Sequence, residues 1–280
     1  MAESIKKLSQ RKMMNSKLSL IVVAFGMLLF SSCATLDLTL PISDLESPQH
    51  QGRKTGYGID FSALTSKQLK LHEDPSKRPV DFTTTKHSVS NLFLTKSSLN
   101  YYFFERATLS GTLIDSKIPS LKLKVSLLSG FREDAQPGTF HATLHVQGSY
   151  QMAETSGNQN GIGGNGGFPW KGTSSLISGT GGLSLGYQFF KKAIPFIGVN
   201  YQHFQTSGKI EHTATPSDAG GSYKINVVDG KIMTYGVGLD YRPNPRFYFM
   251  PQVYFYNFKW YENNFNEVGG SLKIIYVPVQ

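Results

Sequence analysis

Residues 140–152 read FHATLHVQGSYQM, and every second position carries the same kind of side chain. Phe140, Ala142, Leu144, Val146, Gly148, Tyr150 and Met152 fall on one side, and His141, Thr143, His145, Gln147, Ser149 and Gln151 on the other. A period of two belongs to a β-strand, whose successive side chains point to opposite faces, so this segment has one greasy surface and one polar surface.

The split recurs on both sides of that segment. Leu121, Leu123, Val125 and Leu127 alternate with Lys122, Lys124 and Ser126, and Leu183, Leu185, Tyr187 and Phe189 with Ser184, Gly186 and Gln188. Met233, Tyr235, Val237, Leu239 and Tyr241 stand opposite Thr234, Gly236, Gly238 and Asp240, and Leu272, Ile274 and Tyr276 opposite Ser271, Lys273 and Ile275. Beyond residue 55 no window holds a helical apolar period. Ten strands are predicted, near residues 56–66, 86–104, 106–115, 119–129, 138–155, 173–190, 194–212, 222–242, 246–262 and 266–279. A count of eight or twelve stays open, because Val228-Asp229-Gly230 can turn a hairpin inside the eighth segment. The fold class is all-β: an antiparallel transmembrane β-barrel of about ten strands.

Connections between these strands alternate in length. The stretch from His72 to Thr85, the Gly/Asn-rich Ser156 to Gly172 and Thr213 to Gly221 are long, whereas Phe104 to Arg106, Lys191 to Ile194 and Arg242 to Pro245 are short. Asp115 to Ile118 and Phe131 to Pro137 break the alternation. Barrels of bacterial outer membranes have short turns on the periplasmic side and long loops outside.

Composition points the same way. Glycine (28), tyrosine (14) and phenylalanine (19) are abundant beside only 17% charged residues. The net charge of +9 is partly local: Lys6, Lys7, Arg11, Lys12 and Lys17 against Glu3 account for +4, leaving +5 on residues 33–280. No basic run interleaved with aromatics remains, which argues against a nucleic-acid partner.

That basic start precedes an apolar run from Leu18 to Phe30 and the small pair Ser31-Ser32, the layout of a secretory signal over residues 1–32, with Met1, Met13 and Met14 all available as the start. Cys33 is the only cysteine, so a disulfide within the chain is impossible. Leu28-Leu29-Phe30-Ser31-Ser32-Cys33 resembles the lipobox of bacterial lipoproteins, which implies cleavage before Cys33 and its acylation. Several acyl chains make a stable anchor. Ala34 in place of an aspartate implies transfer to the outer membrane by the lipoprotein-sorting machinery. Residues 33–55, with Pro41 and Pro48, read as a flexible tether that holds the barrel, residues 56–280, to its lipid from the periplasmic side.

Alternation alone does not separate a membrane barrel from a soluble one. The polar faces here are Gly, Ser, Thr, Gln and Asn rather than the Lys/Glu mixture that coats soluble sheets. Aromatics gather near strand ends, as Tyr101 to Phe104 and as Tyr254, Tyr256, Phe258, Trp260 and Tyr261, where interfacial girdles are expected. Residues 56–280 therefore resemble the small outer-membrane β-barrel proteins of Gram-negative bacteria. The resemblance implies surrounding outer-membrane lipid, and a final strand, Gly269 to Gln280, read by the barrel-assembly machinery. It also implies a structural, surface-interaction or limited small-solute passage role.

Two alternatives stay open. Ten strands also match the omptin family of outer-membrane proteases, whose paired acids and histidine direct attention to Asp60, Asp240 and His145; the other is a soluble periplasmic lipoprotein with a lipocalin-like ligand barrel. His141 and His145 share a face but stand about 13 Å apart along a strand, too far to hold one metal. No phosphate-binding Lys-Ser/Thr follows the glycines of 157–167. No catalytic residue, metal, cofactor or small-molecule substrate is assigned. The lumen-facing candidates are Lys122, Lys124, His141, His145, Asp240 and Lys273, and barrels of this size are usually filled by their own side chains.

Overall fold

Alternating segments with little charge on either face are stable as strands only when both edges are paired, and closing the sheet on itself removes the edges altogether. A computed structural model of the chain, describing residues 35–48, 56–72, 87–103, 106–128, 137–159, 168–213 and 221–278, shows this closure. The strands are β1 (Thr35–Pro41), β2 (Gly56–His72), β3 (Ser88–Phe103), β4 (Ala107–Ile114), β5 (Ile118–Leu128) and β6 (Phe140–Gln159). They continue with β7 (Phe168–Tyr187), β8 (Ala193–His212), β9 (Gly221–Asn244), β10 (Phe247–Trp260) and β11 (Asn263–Tyr276). β2 to β11 pair in sequence, and β2 pairs with both β3 and β11, which makes a closed antiparallel barrel of ten strands.

Every predicted strand has its counterpart, and several differ in extent, β2 continuing to His72 where its end was expected near residue 66. The eighth segment is not a hairpin: β9 runs unbroken through Val228-Asp229-Gly230, with Asp229 opposite Gln205 and Gly230 opposite both Phe204 and Trp260. Local turn chemistry loses there to two continuous neighbours, and the misfit is absorbed by a register shift between Thr206 and Gly208. β6 and β7 extend to Gln159 and Phe168, so the connection expected from Ser156 to Gly172 is shorter, its residues 160–167 lying outside the described ones. At the β4–β5 hairpin, Asp115 and Ser116 take left-handed φ of 49° and 56°, and Lys117 N donates to Ile114 O at 3.0 Å.

Outward faces carry the apolar residues. Phe61, Leu99, Leu121, Val146, Ile177, Ile197, Val237 and Val268 are exposed around the whole wall. At the short-turn end the rings pair off as Tyr57 with Tyr101, Phe140 with Tyr187, and Phe247 with Tyr276. The expected second girdle is different: Tyr254, Tyr256, Phe258 and Trp260 are buried in the lumen, as is Tyr102. A period of two cannot say which face looks inward, and here β10 turns its large rings toward other apolar groups inside.

Those groups come from the segment expected as a tether. Residues 35–41 are β1, which pairs with Ser66 to His72 along the edge of β2 that β11 leaves above Leu64. Leu36, Leu38, Leu40 and Ile42 are fully buried with Leu69, Leu71, Trp170, Phe204, Tyr254 and Trp260 in one cluster. Burying each such aliphatic side chain contributes about 1.5–3 kcal/mol, more than a free tether gains from solvent. The chain enters beside His72, at the end of the long connections, and runs the length of the lumen until Pro48 packs near Gly186 and Ile194 at the short-turn end. It is a plug. Residues 49–55, like the signal and Cys33, lie outside the described ones.

Candidate functional site: the polar layer of the lumen

Three layers stack inside the barrel. The upper one is the apolar cluster around β1, and the lower one joins Leu45, Tyr102, Phe196, Tyr248, Met250, Ile275 and Val277. Between them lies a polar layer built by the inward positions of the wall and by residues 43–47 of the plug.

All six sequence candidates are buried on the lumen side: Lys122, Lys124, His141, His145, Asp240 and Lys273. The lysines are drawn together by the plug. Asp44 meets Lys96 Nζ at 2.5 Å and Lys273 Nζ at 3.2 Å, while Glu46 meets Lys122 Nζ at 2.6 Å and Lys273 Nζ at 3.1 Å. Lys273 thus bridges both carboxylates. Burying charges of this kind is tolerable only with close partners, because each loses its hydration. Lys124 lies within the electrostatic reach of Glu46 and Lys273.

Uncharged side chains hold the plug backbone in place of a strand ladder. Gln252 donates Nε2 to Leu45 O at 2.8 Å and accepts from Leu45 N at 2.9 Å, a two-bond clamp from β10. Asn200 donates to Ser43 O and Asp44 O at 3.2 and 2.9 Å, and Gln202 donates to Pro41 O at 3.0 Å. Ser43 Oγ lies 2.9 Å from Thr180 Oγ1, and Ser47 Oγ donates to Asp240. Gly182 makes this possible: a Cβ there would fall 2.1 Å from Asn200 Oδ1 and 2.4 Å from His145 Cε1.

The remaining candidates separate. His141 Nε2 lies 3.1 Å from Gln188 Oε1, and Asp60 accepts from Asn100 Nδ2 at 3.1 Å. Asp60 and Asp240 sit near the short-turn ends of β2 and β9, each with a neutral partner rather than a second acid. Among the described residues, no group of three or more His, Cys, Asp or Glu is placed to share a metal. Beside Glu46, Asp60, Lys122, Lys124 and Lys273 a cavity of about 10 Å³ remains, scarcely one water in size.

Sequence reasoning missed Asp44, Glu46 and Lys96. A signal was present: Leu36, Leu38, Leu40 and Ile42 alternate as cleanly as any wall strand, and two acids follow two residues apart. At the upper rim, Tyr261 takes a left-handed φ of 51° and packs edge-on against Trp260 and at a tilt against His87. Burial pushes its phenol up to about 12.

No family model matches the chain, and no curated protein matches its sequence. Solved structures of similar shape include the outer membrane protease OmpT from Escherichia coli, at TM-score 0.40 and 11% identity over 80% of this chain and 94% of that one. The attachment invasion locus protein Ail of Yersinia pestis, in complex with a heparin analogue, gives 0.31 and 12% over 80% and 98%. The N-terminal β-barrel domain of Pseudomonas aeruginosa OprF gives 0.23 and 10% over 79% and 98%. The closed ladder of β2 to β11 stands independently of these likenesses.

Proposed function

We propose that this chain is a non-enzymatic outer-membrane β-barrel of a Gram-negative bacterium, with its lumen closed at rest and with a role in envelope structure and surface interaction. The observation that carries the reading is the inverted distribution of polarity. At mid-height the exterior is apolar on every strand, with Phe61 and Val237 each 57% exposed, while lysines, acids and hydroxyls are buried inside. A soluble ligand-binding barrel needs the opposite arrangement, and so large an exposed apolar surface is unstable in water. Lipid tails are its natural solvent, since a closed barrel leaves no unpaired backbone toward them.

Acylation of Cys33 belongs to the same proposal. The described chain begins at Thr35, beside His72, at the end of the long connections. Two further residues reach no more than about 7 Å, which supports an anchor at that end of the barrel as an alternative to the periplasmic end. The hydrolase alternative gains nothing from Asp60 and Asp240, which stand apart from each other's strands with neutral partners.

Extraction tests the reading. The Cys33→Ala form is expected to stay with membranes until detergent is added and to migrate faster unheated than heated in detergent gels; a monomer released by buffer alone contradicts it. Wild-type protein in planar bilayers is expected to be silent.

A further inference from the structure

A narrow barrel that only needs filling is filled most cheaply with apolar side chains, and both ends of this lumen are filled that way. The middle layer is not. It gathers Lys96, Lys122, Lys124 and Lys273, with Asp60 and Asp240 as buried acids of the wall, so among the described residues this layer of the wall carries a surplus of two positive charges. Asp44 and Glu46 of the plug cancel that surplus. Around them Ser62, Ser126, Thr143, Ser184 and Ser271 carry buried hydroxyls that meet no hydrogen-bond partner among the described residues. Hydroxyls so placed can both donate and accept, and so can bind water or the hydration shell of an ion.

The plug is also attached in a way that permits withdrawal. β1 is laddered to one strand only, at the seam where β11 has left β2, and residues 43–47 are held by side chains rather than by a neighbouring strand. Ion pairs buried this way add little net stability over hydrated or otherwise paired charges. The two carboxylates occupy the positions that a small carboxylate or phosphate would take among the lysines.

We propose that residues 35–48 are a displaceable plug over an anion-selective path, and that the Lys96, Lys122, Lys124 and Lys273 cluster is its selectivity site, occupied at rest by Asp44 and Glu46. This deepens the outer-membrane reading and rests on it. Removing the plug's carboxylates leaves the lysines without their internal anions, so the segment loosens and the path fills with water and chloride.

The full-length chain in planar bilayers under a potassium chloride gradient tests this. The D44N/E46Q variant keeps the plug's shape and is expected to open discrete conductance steps with a several-fold preference for chloride over potassium, where wild type is silent. Adding S43C/T180C in a Cys33→Ser background places a disulfide where two hydroxyls now meet; it is expected to silence D44N/E46Q until a reductant is added. Should D44N/E46Q fail the heat-shift control for folding, N200A/Q252A loosens the same segment without touching its charges and takes its place. A folded variant that stays silent with and without reductant, or that prefers potassium, overturns the plug proposal while leaving the membrane barrel intact. Wild type that does not insert into bilayers at all overturns the membrane reading, and this proposal with it.

Discussion

The ten-stranded wall and the segment 35–48 share one alternating pattern but bury opposite things. In the wall, backbone groups are satisfied by continuous ladders, the apolar side chains look out, and the polar ones look in. In the plug, four aliphatic residues are buried under the rings of β10 and the backbone beyond Pro41 is satisfied by Asn200, Gln202 and Gln252. Where backbone hydrogen bonds go decides how firmly a segment is held: a ladder breaks only strand by strand, whereas a side-chain clamp opens with one rotamer change. The wall is held by ladders on both sides of each strand, and the plug is laddered on one side over residues 35–41 and held by side chains beyond them.

Four substitutions break or sharpen this contrast. Val237→Arg sets a charge in the middle of the outward belt and is expected to cost about 2–4 kcal/mol of barrel stability in lipid vesicles, read by urea titration. Leu38→Ala, inside the upper cluster, is expected to cost about 2–3 kcal/mol, toward the low end for such truncations because a segment laddered on one side can relax. Its mark is loss of hydrogen-exchange protection in residues 36–42 with the wall's protection unchanged, and a wall that loosens equally removes the distinction between the two regions. Gln252→Ala exchanges both amide bonds to Leu45 for unsatisfied groups, about 1–2 kcal/mol, visible as faster exchange at Leu45 alone. Lys171→Ala removes an exposed pair with Glu154 at the rim and is expected to change stability by less than about 0.5 kcal/mol.

The wall was legible because two faces of different polarity leave a period in the sequence whatever surrounds them. Leu144 and Val146 against His145, and Val237 and Leu239 against Gly238, read the same before and after folding. What periodicity does not carry is the identity of the solvent on each face. Tyr254, Tyr256, Phe258 and Trp260 satisfy an interfacial girdle and a lumenal core equally well, and only the position of β1 beside them decides between the two. The plug was illegible for a related reason. Pro41 and the polar run from Ser43 to Ser47 look like solvated chain until Lys96, Lys122 and Lys273, from strands distant in sequence, are brought around Asp44 and Glu46. The lysines were readable as inward residues; their counter-ions, placed in a supposed tether, were not.

The chain carries its own reporters of which face of the wall meets lipid and which encloses the plug. Its two tryptophans, Trp170 and Trp260, both lie in the lumenal cluster, with Trp260 Nε1 donating to Thr206 at 3.2 Å. In vesicles of brominated lipid, fluorescence of the native protein is expected to be little quenched, and an added Val237→Trp to be quenched strongly. Strong quenching of the native pair together with an unquenched tryptophan at position 237 would turn the barrel inside out and contradict the structure's assignment of its two faces.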